Sequence, residues 1–240
     1  MRVLALDTTT RAGSAALVAD DRVVDERGGD GTRTHALRLP GELLTLAEAN
    51  GWPLSSIDLY AVASGPGSFT GLRIGIATIQ GLALVNGRRI VGVPILDALA
   101  QQASADAAEG TLIAAWMDAH RRDVFAALYQ VTAAPPTGPA RLTEIEGPTV
   151  GGAAATLARW RERPGATPSI FIGDGAVLYA EEIARQLPGA RVLPPPLLAG
   201  AIGRIAILRA SDAWDPAAAR PLYVRRADVE VVRDERLRKG

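Results

Sequence analysis

Val3–Leu17 reads VLALDTTTRAGSAAL, and Ala114–Leu128 reads AAWMDAHRRDVFAAL. Each runs an apolar strand into an aspartate, Asp7 or Asp118, crosses a polar turn, and re-enters an apolar strand through Ala-Ala-Leu. Asp7 and Asp118, Ala15 and Ala126, and Leu17 and Leu128 match at one fixed offset. Ala-Ala-Leu is a common triplet in an alanine-rich chain, so the weight falls on the elements that follow each copy. After the first, Asp20-Asp21 turns the chain into a third strand ending at Gly28. Thr34 is placed to cap a helix over His35–Asn50, which Gly51 ends, and Ile57–Gly65 is the next strand. Ser68 is placed to cap a helix over Phe69–Leu84; Arg89–Val93 is a strand, and Pro94 opens a helix over Ile95–Ala103. After the second copy come a proline-rich turn, Ala133–Ala140, and a strand in RLTEIEG. A helix over Ala153–Arg161, a strand in PSIFIGDG and a helix over Val177–Gln186 follow. Three prolines at 194–196 precede a last helix over Leu197–Ala210.

The order βββαβα therefore occurs twice, which predicts two pseudo-symmetric halves. That is the plan of the actin-like (ASKHA) α/β class, to which actin and hexokinase belong. Each half there has a central sheet, parallel except for its hairpin strand, covered by helices. The expected divisions are an N-terminal subdomain over 1–103, a smaller C-terminal one over 104–220, and a charged tail over 221–240.

The bulk numbers narrow the function. The chain has 240 residues, ample for a sizeable core, with 26 basic and 26 acidic side chains. With no basic excess, nucleic-acid binding by this chain alone is not favoured, although a local patch or a basic partner can supply it. There is no cysteine, which excludes disulfides, thiolate catalysis and cysteine zinc sites. His35 and His120 are the only histidines, and no histidine pair stands at metal-ligand spacing. MRVLALDTTT turns polar too early for a signal peptide and no apolar run is long enough to span a membrane, so a cytoplasmic protein is expected.

Four stretches carry possible chemistry. SGPGSFTGLRIGIATIQGLAL (Ser64–Leu84) has the look of a phosphate loop opening a helix. It lacks the lysine of a P-loop, since Leu72 follows Gly71, and Thr70 stands where a dinucleotide fingerprint needs its third glycine. Gly71 and Gly75 lie one turn apart on a face that Thr78 extends, a spacing that lets another backbone come close. Asp7, with the hydroxyls of Thr8 to Thr10, and Asp118 are strand-end carboxylates that can hold magnesium and phosphates at a cleft, or simply cap their own turns; both readings stand. In IGDGAV, Gly173 and Gly175 form a turn of the kind an adenosine can rest on, or a plain left-handed turn. His120, between Asp118 and Asp123, is the best-placed general base.

Taken together, LALDTTT, GPGSFTGLRIGIATIQGLAL, VGVPILDALAQ, MDAHRRDVFAALY and PLYVRR resemble the TsaB (YeaZ) family over essentially the whole chain. The resemblance implies a non-catalytic partner that dimerises with and activates a TsaD-type transferase. The pair, joined by a TsaE-type ATPase, would place threonylcarbamoyl on the adenosine beside the anticodon in tRNA. TsaD-like enzymes carry two metal-binding histidines where this chain has Ile95 and Leu99, and an apolar pair binds no metal. The resemblance further implies that the first two helices form the partner surface, with Leu39, Leu43, Gly71, Arg73, Ile74, Gly75 and Thr78 on it. It implies a homodimer when the chain is alone, tRNA contact through the complex, and ATP or ADP with magnesium as a ligand left open. The rival reading is an actin-like ATPase or kinase that uses Asp7 and Asp118 with Mg-ATP. The arginine-rich tail, from Arg220 to Lys239, is either a solvated end or a contact for tRNA or a partner.

Overall fold

A computed structural model describes residues 1–135, 141–222 and 224. In the first half, β1 (Arg2–Asp7), β2 (Ser14–Ala19) and β3 (Arg22–Gly28) form an antiparallel meander. Then come α1 (His35–Ala49), β4 (Leu59–Gly65), α2 (Phe69–Val85), β5 (Arg89–Pro94) and α3 (Ile95–Ala103), with β4 parallel to β1 and β5 parallel to β4. The second half has β6 (Leu112–Asp118), β7 (Asp123–Val131), β8 (Leu142–Gly152), α4 (Ala153–Glu162), β9 (Ile170–Ile172), α5 (Asp174–Leu178), α6 (Ala180–Gln186), β10 (Arg191–Leu193) and α7 (Ala199–Leu208). The strand orders are β3-β2-β1-β4-β5 and β8-β7-β6-β9-β10, one topology used twice. The molecule has the actin-like α/β fold.

The strand sequences follow from burial on both faces. In β1, Val3 and Ala5 face the space between the sheets, while Leu4 and Leu6 face α1 and α2. In β6, Ile113, Ala115 and Met117 face inward, and Ala114 and Trp116 pack outward with Trp160 and Phe171. Between the sheets lie the helices that close each half. Helix α3 packs on β6, and α7 packs on β1, β2 and β4. A Cβ on Gly203 of α7 would come within 2.6 Å of Val18, which shows how closely that helix lies on the first sheet. Its opening N–H groups donate to Ser14 Oγ (3.0 Å from Ala199) and Glu26 Oε1 (2.8 Å from Gly200), both on the first sheet. Burial raises the Glu26 carboxyl above its usual range, against the pull of those bonds.

Several expectations needed correction. Thr34 makes no side-chain cap bond; only its carbonyl starts α1. The helix expected over Val177–Gln186 is two helices, because Tyr179 (φ −108°, ψ 23°) interrupts it. Strand β10 was not anticipated: three residues opening with an arginine carry no periodic signal. Strand β8 runs on through Pro148, which falls in a register shift between Glu146 and Thr149 on a strand that pairs on one side only. Most of the tail lies outside the described residues.

Candidate functional site: the cleft between the halves

A cavity of about 1270 Å³ opens between the halves. Its walls are the β1–β2 turn (Thr9 to Arg11), the approach to α1 (Thr32 to His35), the entry to α2 (Pro66 to Arg73), the β6–β7 turn (Asp118 to Arg121) and Asp174. Both hairpin tips therefore face one space, as the repeat implies, and the glycine-rich stretch faces it too.

The two repeated aspartates act as turn caps. Asp7 Oδ1 accepts from Thr9 N (2.8 Å) and Thr9 Oγ1 (2.7 Å). Asp118 Oδ1 accepts from His120 N (2.8 Å), the same bond two residues on, while its Oδ2 lies 3.1 Å from His120 Nδ1. Asp7 is 4% exposed and lies beneath the cavity wall. Burial raises its carboxyl above the usual range, Thr9 opposes this, and the Asp174 charge adds to the rise. Asp7 presents no bare carboxylate to a magnesium ion in the cavity, being sealed under its own turn, whereas Asp118 lines the cavity within reach of His120. Among the described residues, no group of three or more histidine, aspartate or glutamate side chains can hold a metal ion.

Sequence reasoning missed Asp174. Its Oδ1 accepts from Asp118 N (3.0 Å) and Gly175 N (2.8 Å), tying α5 to the end of β6. Burial raises this carboxyl too, and the Asp118 charge adds. The aspartate of IGDG was the available signal. A Cβ on Gly173 would meet Trp116 O at 2.0 Å, and one on Gly175 would meet Met117 C at 2.6 Å. They are glycines because β6 passes against them, and neither lines the cavity. His120 is highly exposed at φ +57°, within reach of Asp118. His35 is buried: its Nε2 donates to Thr10 O (3.0 Å), which leaves Nδ1 to accept from Arg38 Nη2 (2.8 Å). Burial and then the Arg38 charge hold His35 below its usual pKa, so it is neutral at pH 7. Arg38, also buried, binds Glu42 and the Ala12 carbonyl and so fastens α1 to the β1–β2 turn.

Gly71 and Gly75 need a different explanation from the one their spacing suggested. A Cβ on Gly71 would meet Thr8 O at 2.2 Å, and one on Gly75 would meet Thr8 Oγ1 at 2.1 Å. What they admit is Thr8 of their own chain's β1–β2 turn, its carbonyl at Gly71 and its side chain at Gly75. Thr8 is fully buried beneath α2, and Ser68 N donates to Thr9 O (2.8 Å). DTTT and GPGSFTGLRIG are thus two sides of one joint. Ser68 does cap α2, accepting from Gly71 N at 3.2 Å. Leu39 and Leu43 are each 1% exposed and belong to the core with Leu4 and Leu6. Thr78 donates to Ile74 O, and Arg73 and Ile74 line the cavity. The outward face of α1 and α2 instead carries Leu37, Leu44, Leu84 and Val85, and nothing lies within 4 Å of a Cβ on Gly41 or Gly81. Leu37 and Leu44, two turns apart, were the missed signal. Ile95 and Leu99 sit in the core between the sheets.

A family model described as "TsaD: tRNA N6-adenosine threonylcarbamoyltransferase" matches residues 26–138. Over 130 residues the chain is 38% identical to the Escherichia coli tRNA threonylcarbamoyladenosine biosynthesis protein TsaB, covering 54% of this chain and 55% of that one. It is 32% identical over 130 residues to the TsaB of Bacillus subtilis, covering 54% and 56%. The chain thus aligns with about half the length of the curated relatives it matches. Among solved structures, YeaZ from Pseudomonas aeruginosa superposes with a TM-score of 0.72 at 28% identity, over 92% of this chain and 99% of that one. A second Pseudomonas aeruginosa structure, described as similar to the peptidase YeaZ, gives 0.75 at 29% identity, over 93% and 99%.

Proposed function

Because the chain belongs to the TsaB (YeaZ) family, we propose that it is the non-catalytic partner that pairs with and activates a TsaD-type transferase in threonylcarbamoylation of tRNA. The observation that carries this reading is the outward face of α1 and α2. Leu37 is 66% exposed and Leu44 46% on α1, and Leu84 71% and Val85 86% on the last turn of α2, all of them bare apolar side chains. Burying a leucine or valine side chain contributes about 1.5–3 kcal/mol, so these four supply a driving force for association. The open space over Gly41 and Gly81 lets another helix pair approach, and two such pairs make a four-helix bundle. The same face can meet its own copy or a transferase with similar helices, so homodimer and heterodimer compete. The apolar Ile95–Leu99 pair, at the place where the transferases carry their metal ligands, supports the role of partner over that of enzyme. A TsaE-type ATPase completes the assembly, and the cytoplasm, where tRNA is modified, is its setting.

Reconstitution tests the reading. Omitting this chain from a mixture with transferase, ATPase and tRNA should abolish modification. Gly81→Arg, at a site with room for the side chain, should leave the fold intact and its melting no lower while the pairing and the modification are lost. Modification without the chain, or normal pairing by the variant, would sink the proposal.

A further inference from the structure

The cleft carries a charge pattern that a neutral chain does not require. Arg11, Arg33, Arg73 and Arg121 line it from four separate elements, and all four are exposed. Two carboxylates, Asp118 and Asp174, line it as well, so the arginines outnumber them four to two. The chain has equal numbers of acidic and basic residues, so this excess of cations is local. Phe69 adds a second, independent feature. Of the three phenylalanines, Phe171 and Phe125 are buried, while Phe69 is 41% exposed and lines the cavity. The Arg73 guanidinium lies over its ring, 3.8 Å from the centroid. An aromatic ring and a guanidinium plane on the wall of a cationic groove are what a nucleobase and its flanking phosphates bind. A third feature is conformational: His120, Arg121 and Arg122 have φ of 57°, 55° and 69° in succession. Non-glycine residues rarely adopt this region, and here three in a row make the tip that brings Arg121 to the cavity.

We propose that this cleft holds a single-stranded segment of RNA, with backbone phosphates on Arg11, Arg33 and Arg121 and one base on the Phe69–Arg73 platform. The inference rests on the reading above that the complex acts on tRNA, and adds that this chain touches the RNA itself. An RNA strand fits better than a free nucleotide. The cavity exceeds the roughly 300–1,000 Å³ of small-molecule sites. Its cations come from four separate segments of the chain.

The test is fluorescence anisotropy of a labelled tRNA titrated with the full chain alone, from about 50 to 200 mM salt. Arg11→Glu with Arg33→Glu should weaken binding and lower the slope of log affinity against log salt by about two. Arg11→Lys with Arg33→Lys should restore both. Phe69→Ala should weaken binding about tenfold and leave the slope unchanged. Unchanged melting curves establish that these exposed positions leave the fold intact. Absence of measurable wild-type binding, or wild-type affinity in the variants, would overturn the proposal. So would loss of all binding on deleting residues 225–240 alone, or displacement of the tRNA by ATP as readily as by unlabelled RNA. The titration omits the transferase, so its failure is distinct from a failure of the Gly81→Arg pairing test.

Discussion

Gly75→Ala separates a glycine that admits its own chain from one that admits a partner. The new Cβ would stand 2.1 Å from Thr8 Oγ1, 3.0 Å from Cγ2 and 3.1 Å from Cβ. An ordinary carbon contact is about 3.5 Å, so roughly 1.4 Å of movement is needed. Rotating Thr8 only exchanges its Oγ1 for Cγ2. The threonine cannot withdraw either, because it is fully buried and the next residue is held by Asp7 and by Ser68 N. Overpacking of this kind costs about 1–3 kcal/mol, and a helical alanine returns about 1 kcal/mol over glycine. Taking the upper end of the overpacking range, the net loss is about 2 kcal/mol. At about 2–4 °C per kcal/mol for a chain of this size, Tm falls by about 4–8 °C. Gly81→Ala, in the same helix with nothing within 4 Å, should gain about 1 kcal/mol instead. Thr8→Ala in the Gly75→Ala background removes both clashing atoms and should recover most of the loss, with a coupling of about 1–2 kcal/mol. The assay is thermal melting by circular dichroism at one fixed protein concentration, with light scattering alongside. If Gly75→Ala melts like the wild type but associates less, the intrachain explanation is wrong.

Two further perturbations probe the buried polar groups. Burial raises the folded pKa of Asp7 above its unfolded value near 3.8, so between the two the folded state binds more protons. This contribution is fully present below the unfolded pKa and is lost as pH rises through the folded one. Asp7→Asn keeps the oxygen that accepts from Thr9, so the variant should match the wild type at about pH 4 and be the more stable at about pH 7; urea midpoints that differ equally at both would refute this. Arg141 is 7% exposed and donates to four carbonyls, those of Thr132, Ala134, Ser104 and Ala107, at 2.7–3.0 Å. Arg141→Met orphans all four and should cost about 3–5 kcal/mol in urea unfolding, and a loss under about 1 kcal/mol would show that the staple is not stabilising.

Much of the fold is legible because it is written locally. The repeated Asp and Ala-Ala-Leu mark hairpins whose pairing needs only alternation and a turn. Ser68 and Gly51 punctuate helices through bonds within one turn of themselves, and Pro94 precedes α3 with its ring-fixed φ. The strand-end aspartates were recognised as special, and their alternative role as turn caps was visible because an Asx turn spans only two residues. Legibility ends where a residue's meaning depends on what arrives from far along the chain. The i,i+4 spacing of Gly71 and Gly75 records a close approach but not the approaching group, which is Thr8, more than sixty positions earlier. Leu39 and Leu43 share their helix with Leu37 and Leu44, and only the placing of α1 on its sheet decides which pair is buried. Asp174 and Asp118 meet across 56 positions, and the capping of α7 by Ser14 and Glu26 spans 174 or more.

The sequence by itself determined the duplicated βββαβα order, the two hairpin tips and the absence of cysteine, since periodicity, turn residues and composition act at short range. Tertiary structure alone decided that the hairpin tips and the entry to α2 share one cleft, that α3 and α7 lie between the sheets, and which helix face is left bare. Those follow from the docking of two whole sheets, whose buried faces are both simply apolar in sequence, so no local pattern names the partner that each side chain meets.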